Sequence, residues 1–360
     1  MKRCVIVGAG IVGQMSALAL LDRGWSGKSF LILETSAYPP ASWAGGGILS
    51  PLFPWRYPSE LNALCETATD RYQRLTERLQ GRQLLGADVL NRSGMWMEVV
   101  SGDRDAAEQW LQDWKGAWEW QALPFGSRRL NGVFCPQLGS IRNPRLLKGL
   151  RKYLVDQGVQ FVQELVRGWE PLGGGGALVR FGDQKIAAQS LILAAGAGMQ
   201  SLLANSSVYP VKGEMLLYRL GGLAPSRIIL TSKGYVIPRK NGDTLVGSTV
   251  RVGDATTVPT VAGRYLLERI AHELVPVTRE RRADFHWAGS RPGHDSHIPL
   301  IGPVPGAPGV FAIGGHYRNG LVSAPASAEL LAQLICGETP FIDPAPYSLS
   351  SRSSSSFLSR

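Results

Sequence analysis

Cysteine is scarce. The 360-residue chain has four, Cys4, Cys65, Cys135 and Cys336, and none sits in a CxxC pair. That spacing excludes a disulfide framework and a structural zinc, and it fits a reducing, cytoplasmic compartment. Charged residues are few, at 18%, and no block of five like charges occurs. The densest run, Arg279-Glu280-Arg281-Arg282, carries an acid inside it. Lysine occurs only nine times, so most of the net charge of +10 rests on scattered arginine. A nucleic-acid binder gathers its basic residues on a patch or stripe. Scattered charge suits the steering of anionic small molecules instead, and nucleic acid is not an expected partner.

Long apolar runs are missing as well. Cys4 to Leu21 comes nearest, but Gly8, Gly10 and Gly13 interrupt it and no small-x-small cleavage site follows Leu21. Neither a signal peptide nor a membrane span is expected. Metal-ligand spacing is limited to His294 and His297, with Asp295 between them. Without a third convincing ligand, no metal site is expected.

Apolar residues make up 44% of the chain, which excludes a disordered polymer. At about 150 residues per domain, the length suggests two domains. Forty-three glycines point to many tight turns or close approaches of backbone to ligand.

Residues 4–8 and 30–34 read as buried strands, with a helical pattern from Ile11 to Arg23 between them. Residues 36–58 read as a long functional loop, and Ser59 to Leu79 as one amphipathic helix. Trp110, Trp114 and Trp118 recur every four residues, which predicts one shared helix face packed against a sheet. Asn143-Pro144 opens another helix through Leu154, followed by a strand ending near Val166. Alternating strand patterns fill 208–250, and a last helix runs from Asn319 to Ile335.

Between the first strand and helix stands Gly8-Ala9-Gly10-Ile11-Val12-Gly13, a GxGxxG turn. The first glycine permits the turn, the second lets a pyrophosphate approach, and the third lets helix and strand pack closely. The pyrophosphate then meets the free N–H groups of the helix N-terminus. Glu34 ends the next strand and is placed to accept from ribose hydroxyls. The motif alone leaves the choice of dinucleotide open.

Further ordered motifs follow. They are Ala41-Ser42-Trp43-Ala44-Gly45-Gly46-Gly47-Ile48-Leu49-Ser50-Pro51, Leu191 to Gly198, and Pro210-Val211-Lys212-Gly213-Glu214. Tyr235 to Arg239, Val246 to Thr249, Trp287-Ala288-Gly289-Ser290-Arg291-Pro292-Gly293 and Gly315-His316-Tyr317-Arg318-Asn319-Gly320-Leu321 complete them. With these, the chain resembles the D-amino acid oxidase-like flavoproteins, and within them the glycine oxidase branch.

The resemblance implies a mixed α/β fold: a Rossmann-type FAD-binding domain with a discontinuous antiparallel substrate-binding sheet. Residues 1–85, 143–207 and 285–345 are expected in the first domain and 86–142 and 208–284 in the second, with 346–360 a disordered tail. It implies noncovalent FAD held by Gly8, Gly10, Ile11, Val12, Gly13, Glu34 and Thr35. The flavin loop would add Ala41, Ser42, Ala44, Gly45, Gly46 and Gly47, with Val166 at the adenine and Gly196 beneath the cofactor. Gly315, His316, Tyr317, Arg318, Asn319, Gly320, Leu321 and Val322 would face the flavin. Trp43 is bulkier than the family's usual residue and would narrow access if it faced inward.

The implied activity is oxidation of a small amine or amino acid, such as glycine, sarcosine or a D-amino acid, by hydride transfer from Cα to flavin N5. O₂ or another carrier would take the electrons. Arg291 is the expected carboxylate clamp, because a guanidinium fork binds carboxylate bidentately. Tyr235 is expected to donate to the same carboxylate, and Arg318 to support the negative charge of the reduced flavin or line the substrate site. The alternatives are an amine dehydrogenase, an FAD enzyme acting on a carboxymethylaminomethyl-modified tRNA base, and a noncatalytic flavoprotein using the tryptophan stripe.

Overall fold

The computed structural model describes residues 2–35, 41–125 and 128–349. The strand Lys2–Val7 supplies Val5 and Ile6, both without solvent exposure, so each face of this strand is covered. A strand buried on both sides belongs in the middle of a parallel sheet. There it lies, between Phe30–Glu34 and Gln184–Leu193, parallel to both. The order across the main path is Leu300–Pro303, Val310–Gly314, Gln184–Leu193, Lys2–Val7, Phe30–Glu34 and Gln160–Gln163. A hairpin of Val166–Pro171 and Ala177–Phe181 adds to Gln184–Leu193.

Helices Ile11–Leu21, Asn143–Asp156 and Gly320–Cys336 cover one face of this sheet through Leu18, Leu147, Leu150 and Leu331. The hairpin, with Val179, Met199 and Val304, closes the other face.

The second sheet has nine strands among the described residues. Its long member, Tyr209–Arg219, alternates sides as a two-faced strand must. Leu216 and Tyr218 meet the helix Val261–Leu274 on one side. Met215 faces the other, with Tyr235, Ile237, Met95 and Met97. The pairing is antiparallel except for Ile228–Thr231, which runs parallel to Met95–Glu98.

Several expectations change. Phe285–Gly293 pairs with Tyr209–Arg219 in the second sheet, so this segment is not part of the nucleotide-binding sheet as the boundary at 285 implied. The single helix read from Ser59 to Leu79 is two, Ser59–Cys65 and Ala68–Gln80, because Thr67 leaves the helical well (φ −97, ψ 13). Val166 opens a strand instead of ending one, since Gln160–Gln163 stops earlier. The tryptophans do not share a helix face: that helix is Arg104–Asp113, and its C-cap Trp114 stacks on Trp110 at 5.2 Å. Trp118 instead meets Trp120 edge-on at 6.0 Å. Of the expected tail, Ala345–Tyr347 forms a 3₁₀ turn, with Tyr347 buried and its hydroxyl donating to the Glu60 carbonyl at 2.8 Å. Residues 350–360 lie outside the described residues, as do 36–40 of the long loop.

Candidate active site and cofactor cavity

A cavity of about 500 Å³ runs from the carboxyl ends of the parallel strands to the face of the second sheet. At its nucleotide end, Gly8 takes φ +115, where a side chain is strained, and a Cβ there would run into the Ala194 carbonyl. Gly13 does not line the cavity; a Cβ there would strike the Gly8 carbonyl, so this glycine permits close packing. Gly8, Gly10, Ile11 and Val12 do line it. The first turn of the following helix carries no acid, which leaves its positive end open to an anion. Ser42 Oγ accepts from the Ile11 N–H at 3.0 Å and ties the later loop to that helix start.

Glu34 and Thr35 line the same end, and the Arg151 guanidinium donates to the Glu34 carboxylate. Val166 is there too, beside Glu164 and Leu165, which the sequence motifs did not single out. The kink between two short strands carries that signal, but only the folded register shows it.

The middle wall is the loop containing Ala41, Ser42, Gly45, Gly46 and Gly47. Asn143 Nδ2 donates to the carbonyls of Ser42 at 2.9 Å and Gly45 at 2.6 Å. The Asn143-Pro144 pair therefore pins the loop as well as starting a helix. Ala44 sits behind the wall, its carbonyl accepting from Trp287 Nε1 at 2.9 Å. Trp43 points outward at 39% exposure, with the Lys148 ammonium 5.5 Å from its ring, so it does not narrow the cavity.

Gly196, His316, Tyr317, Arg318, Gly320 and Leu321 also line the cavity. Gly315, Asn319 and Val322 are buried just behind it. The helix there begins at Gly320, after a 3₁₀ turn at Tyr317–Asn319, rather than at Asn319. His316 Nε2 lies 3.2 Å from Ser327 Oγ, and burial pushes the imidazole down to about 4. Cys336 ends that helix, exposed and away from the lining.

The His316 shift has a testable consequence. Below its ordinary value of 6.5 the unfolded imidazole takes a proton that the folded one refuses. Stability is therefore intact above about pH 6.5 and is lost as pH falls toward 4, by about 2 kcal/mol at pH 5. Urea midpoints at pH 7.5 and pH 5 for the wild type and His316→Asn should show a smaller acid loss in the variant. Equal losses would assign the acid sensitivity elsewhere.

At the far end, Arg291 stands opposite Val211 in the strand pair of the second sheet. Its Nη2 donates to Ser248 Oγ at 2.9 Å and its Nη1 to the Thr249 carbonyl at 3.4 Å. The guanidinium lies over Gly213, where any Cβ would collide with it. Tyr235, 7% exposed, lines the same end of the cavity and favours the charged form of the same guanidinium. Burial pulls Arg291 below the usual arginine value; Tyr235 opposes this and Arg318 adds to it. Arg318 lies close enough to act on Tyr57 electrostatically, and its own Nε is buried without a hydrogen-bond partner. Ser248, Ser290 and Ala255 share this end and were not predicted as site residues.

His294 and His297 form no metal site: His294 Nδ1 meets Ser296 Oγ at 3.0 Å, and His297 packs between Tyr57 and Tyr317. Among the described residues, no group of three His, Cys, Asp or Glu could hold a metal, and no helix is long and apolar enough to cross a membrane.

A glycine turn on a parallel sheet, an acid at the next strand's end and a cavity leading to the half-buried Arg291 and Arg318 are the arrangement of a dinucleotide-binding protein. The family model described as FAD dependent oxidoreductase matches residues 3–334, and the chain belongs to that family. It is 37% identical to a glycine oxidase of Pseudomonas aeruginosa, covering 98% of this chain and 99% of the relative. A glycine oxidase of Pseudomonas putida is 34% identical over 96% of this chain and 98% of its own. The crystal structure of glycine oxidase from Geobacillus kaustophilus superposes with a TM-score of 0.88 at 24% identity, covering 98% of this chain and 100% of that one. The protein is thus an FAD-dependent oxidoreductase, and its cradle fits that group: Gly8 has no room for a side chain, and Glu34 stands at the end of the neighbouring strand.

Proposed function

We propose that this enzyme oxidises a small amine bearing a carboxylate, of the glycine, sarcosine or D-amino acid kind. The observation that carries the reading is the Arg291–Tyr235 pair at one end of the dinucleotide cavity. The curated relatives named above are glycine oxidases, which directs the choice of substrates.

FAD would be held noncovalently by the amides of Gly10 and Val12 at the pyrophosphate, by Glu34 at the ribose and by the Gly45–Gly47 wall at the ring, with the Ile11 amide already donating to Ser42 Oγ. When bound, FAD supplies the acceptor for the hydride that leaves the substrate Cα. The protein's share is placement. The Arg291 fork takes both carboxylate oxygens, and the Tyr235 hydroxyl donates to one of them, so the Cα is held in one orientation. Arg318 keeps the same end cationic and has a free Nε to offer. No acid–base dyad is required, because the amine loses its proton to solvent and the imine hydrolyses afterwards.

The reducing interior of the cell suits Cys4, Cys65 and Cys135, which are buried free thiols. Charge scattered over the surface supports a small-molecule substrate rather than tRNA, and salt-dependent retention on tRNA is not expected.

The deciding experiment mixes the FAD-loaded protein anaerobically with an amine panel and follows absorbance near 450 nm. Bleaching by glycine, sarcosine or a D-amino acid, but not by amines lacking a carboxylate, is expected. If no amine bleaches the flavin, the reading fails. Readmitting O₂ with a peroxide assay then separates an oxidase from a dehydrogenase.

A further inference from the structure

Arg239 is a buried arginine, 7% exposed, that the chemistry above does not use. It follows directly on the strand Gly234–Pro238. Its Nη1 donates to Ser140 Oγ at 3.1 Å and to the Ile141 carbonyl at 3.0 Å. Its Nη2 donates to the Gly46 carbonyl at 2.8 Å. Among the described residues no carboxylate pairs with it directly; the nearby Asp243 carboxylate is bridged to Arg142 at 3.4 Å instead. Burial and Arg142 pull Arg239 down to about 10, with Asp243 opposing.

A buried guanidinium without a carboxylate partner is costly, and a neutral or apolar side chain would join two loops at less cost. The planar fork does something those side chains cannot. It reaches acceptors on two segments at once, and one of them is the cavity wall.

That wall is three consecutive glycines, the sequence with the most backbone freedom. Each is held by a separate partner. Asn143 holds the Gly45 carbonyl, and the Ile141 N–H donates to the Gly47 carbonyl at 2.7 Å. Arg239 holds the carbonyl between them. Peptide planarity makes that contact decisive: fixing the Gly46 C=O turns the Gly47 N–H the opposite way, away from Arg239. A Cβ at Gly46 would lie 2.7 Å from Ile237 Cδ1, so a side chain there would have to displace the Ile237 tip.

We propose that Arg239 is a positioning residue that locks the Gly45–Gly47 wall against the flavin and sets a positive charge one peptide behind it. This rests on the cavity being the FAD site. The charge favours the reduced, more negative flavin, so it raises the reduction potential.

The test uses FAD-loaded wild type, Arg239→Met and Arg239→Lys, with three readouts besides activity: FAD dissociation constant, visible band shape and dye-equilibrated midpoint potential. Arg239→Met should bind FAD at least tenfold more weakly, with altered bands and a lower potential. Arg239→Lys keeps the charge but not the fork, so its affinity should still fall while its potential stays near wild type. Wild-type affinity and band shape in either variant would overturn the positioning role. An equal fall in potential in both would overturn the charge effect. If Arg239→Met does not fold, Arg239→Lys and Ser140→Ala decide. Ser140→Ala removes one acceptor and should shift affinity in the same direction by less, whereas no shift in either variant overturns the proposal. A wild type that holds FAD but is reduced by no amine defeats the proposed substrate class and leaves these readouts intact.

Discussion

Arg291→Ala should lower kcat/KM for a carboxylate-bearing amine by about a thousandfold, which corresponds to about 4 kcal/mol of lost transition-state stabilisation. The magnitude follows from two charge-assisted hydrogen bonds in a buried setting, together with the loss of a fixed Cα orientation. The alanine also strands Ser248 Oγ, which now accepts from the guanidinium. For an amine without a carboxylate the same change should cost less than about tenfold, since nothing on such a substrate uses the fork. Paired kinetics on both substrate types test the claim, and a comparable loss for each would remove Arg291 as the clamp. Arg291→Lys should recover only part of the rate, because an ammonium offers a point charge in place of two parallel donors.

Gly8→Ala should weaken FAD binding by more than about a hundredfold, or about 3 kcal/mol. Two effects act together. The backbone at φ +115 is strained for any L side chain, at about 1–3 kcal/mol. The new methyl would also strike the Ala194 carbonyl, a backbone atom that cannot rotate aside. Either the turn opens or the strand Gln184–Leu193 shifts, and both would move the amides proposed to meet the pyrophosphate. Gly24→Ala is the control. Gly24 also has a positive φ, +82, but a Cβ there has open space around it. It should cost some stability and leave FAD affinity unchanged. Isothermal titration with FAD distinguishes the two, and retention of wild-type affinity by Gly8→Ala would contradict the assigned role of the turn.

The parts legible in the sequence were those whose cause is local. An apolar run, a glycine turn and an amphipathic helix announce themselves within about 30 residues, and Gly8, Gly10, Ile11, Val12 and Glu34, singled out in that way, line one cavity. Gly213 shows the opposite case. Its lack of a side chain is explained by a guanidinium that arrives from residue 291 across a strand pair, and no local pattern reports that. The pairing of Phe285–Gly293 with Tyr209–Arg219 was not foreseen for a related reason, since pairing partners are chosen by tertiary burial. Glu164 and Ala255 entered the lining through loop geometry, and the tryptophan spacing suggested a helix face that the chain abandons at Trp114. Periodicity describes what a helix would do if it continued; it does not say where the helix stops.

The strand Val310–Gly314 lies in register beside Gln184–Leu193, and Arg291 through Leu321 complete the cavity that Gly8 begins. A chain still emerging from the ribosome would therefore display its glycine turn long before it could retain FAD. Flavin is therefore not expected to serve as an early folding template, and loading is expected only after the final helix has cleared the exit tunnel. Stalled nascent chains ending before Val310 should not retain the cofactor, whereas release of the complete chain should capture it in one step.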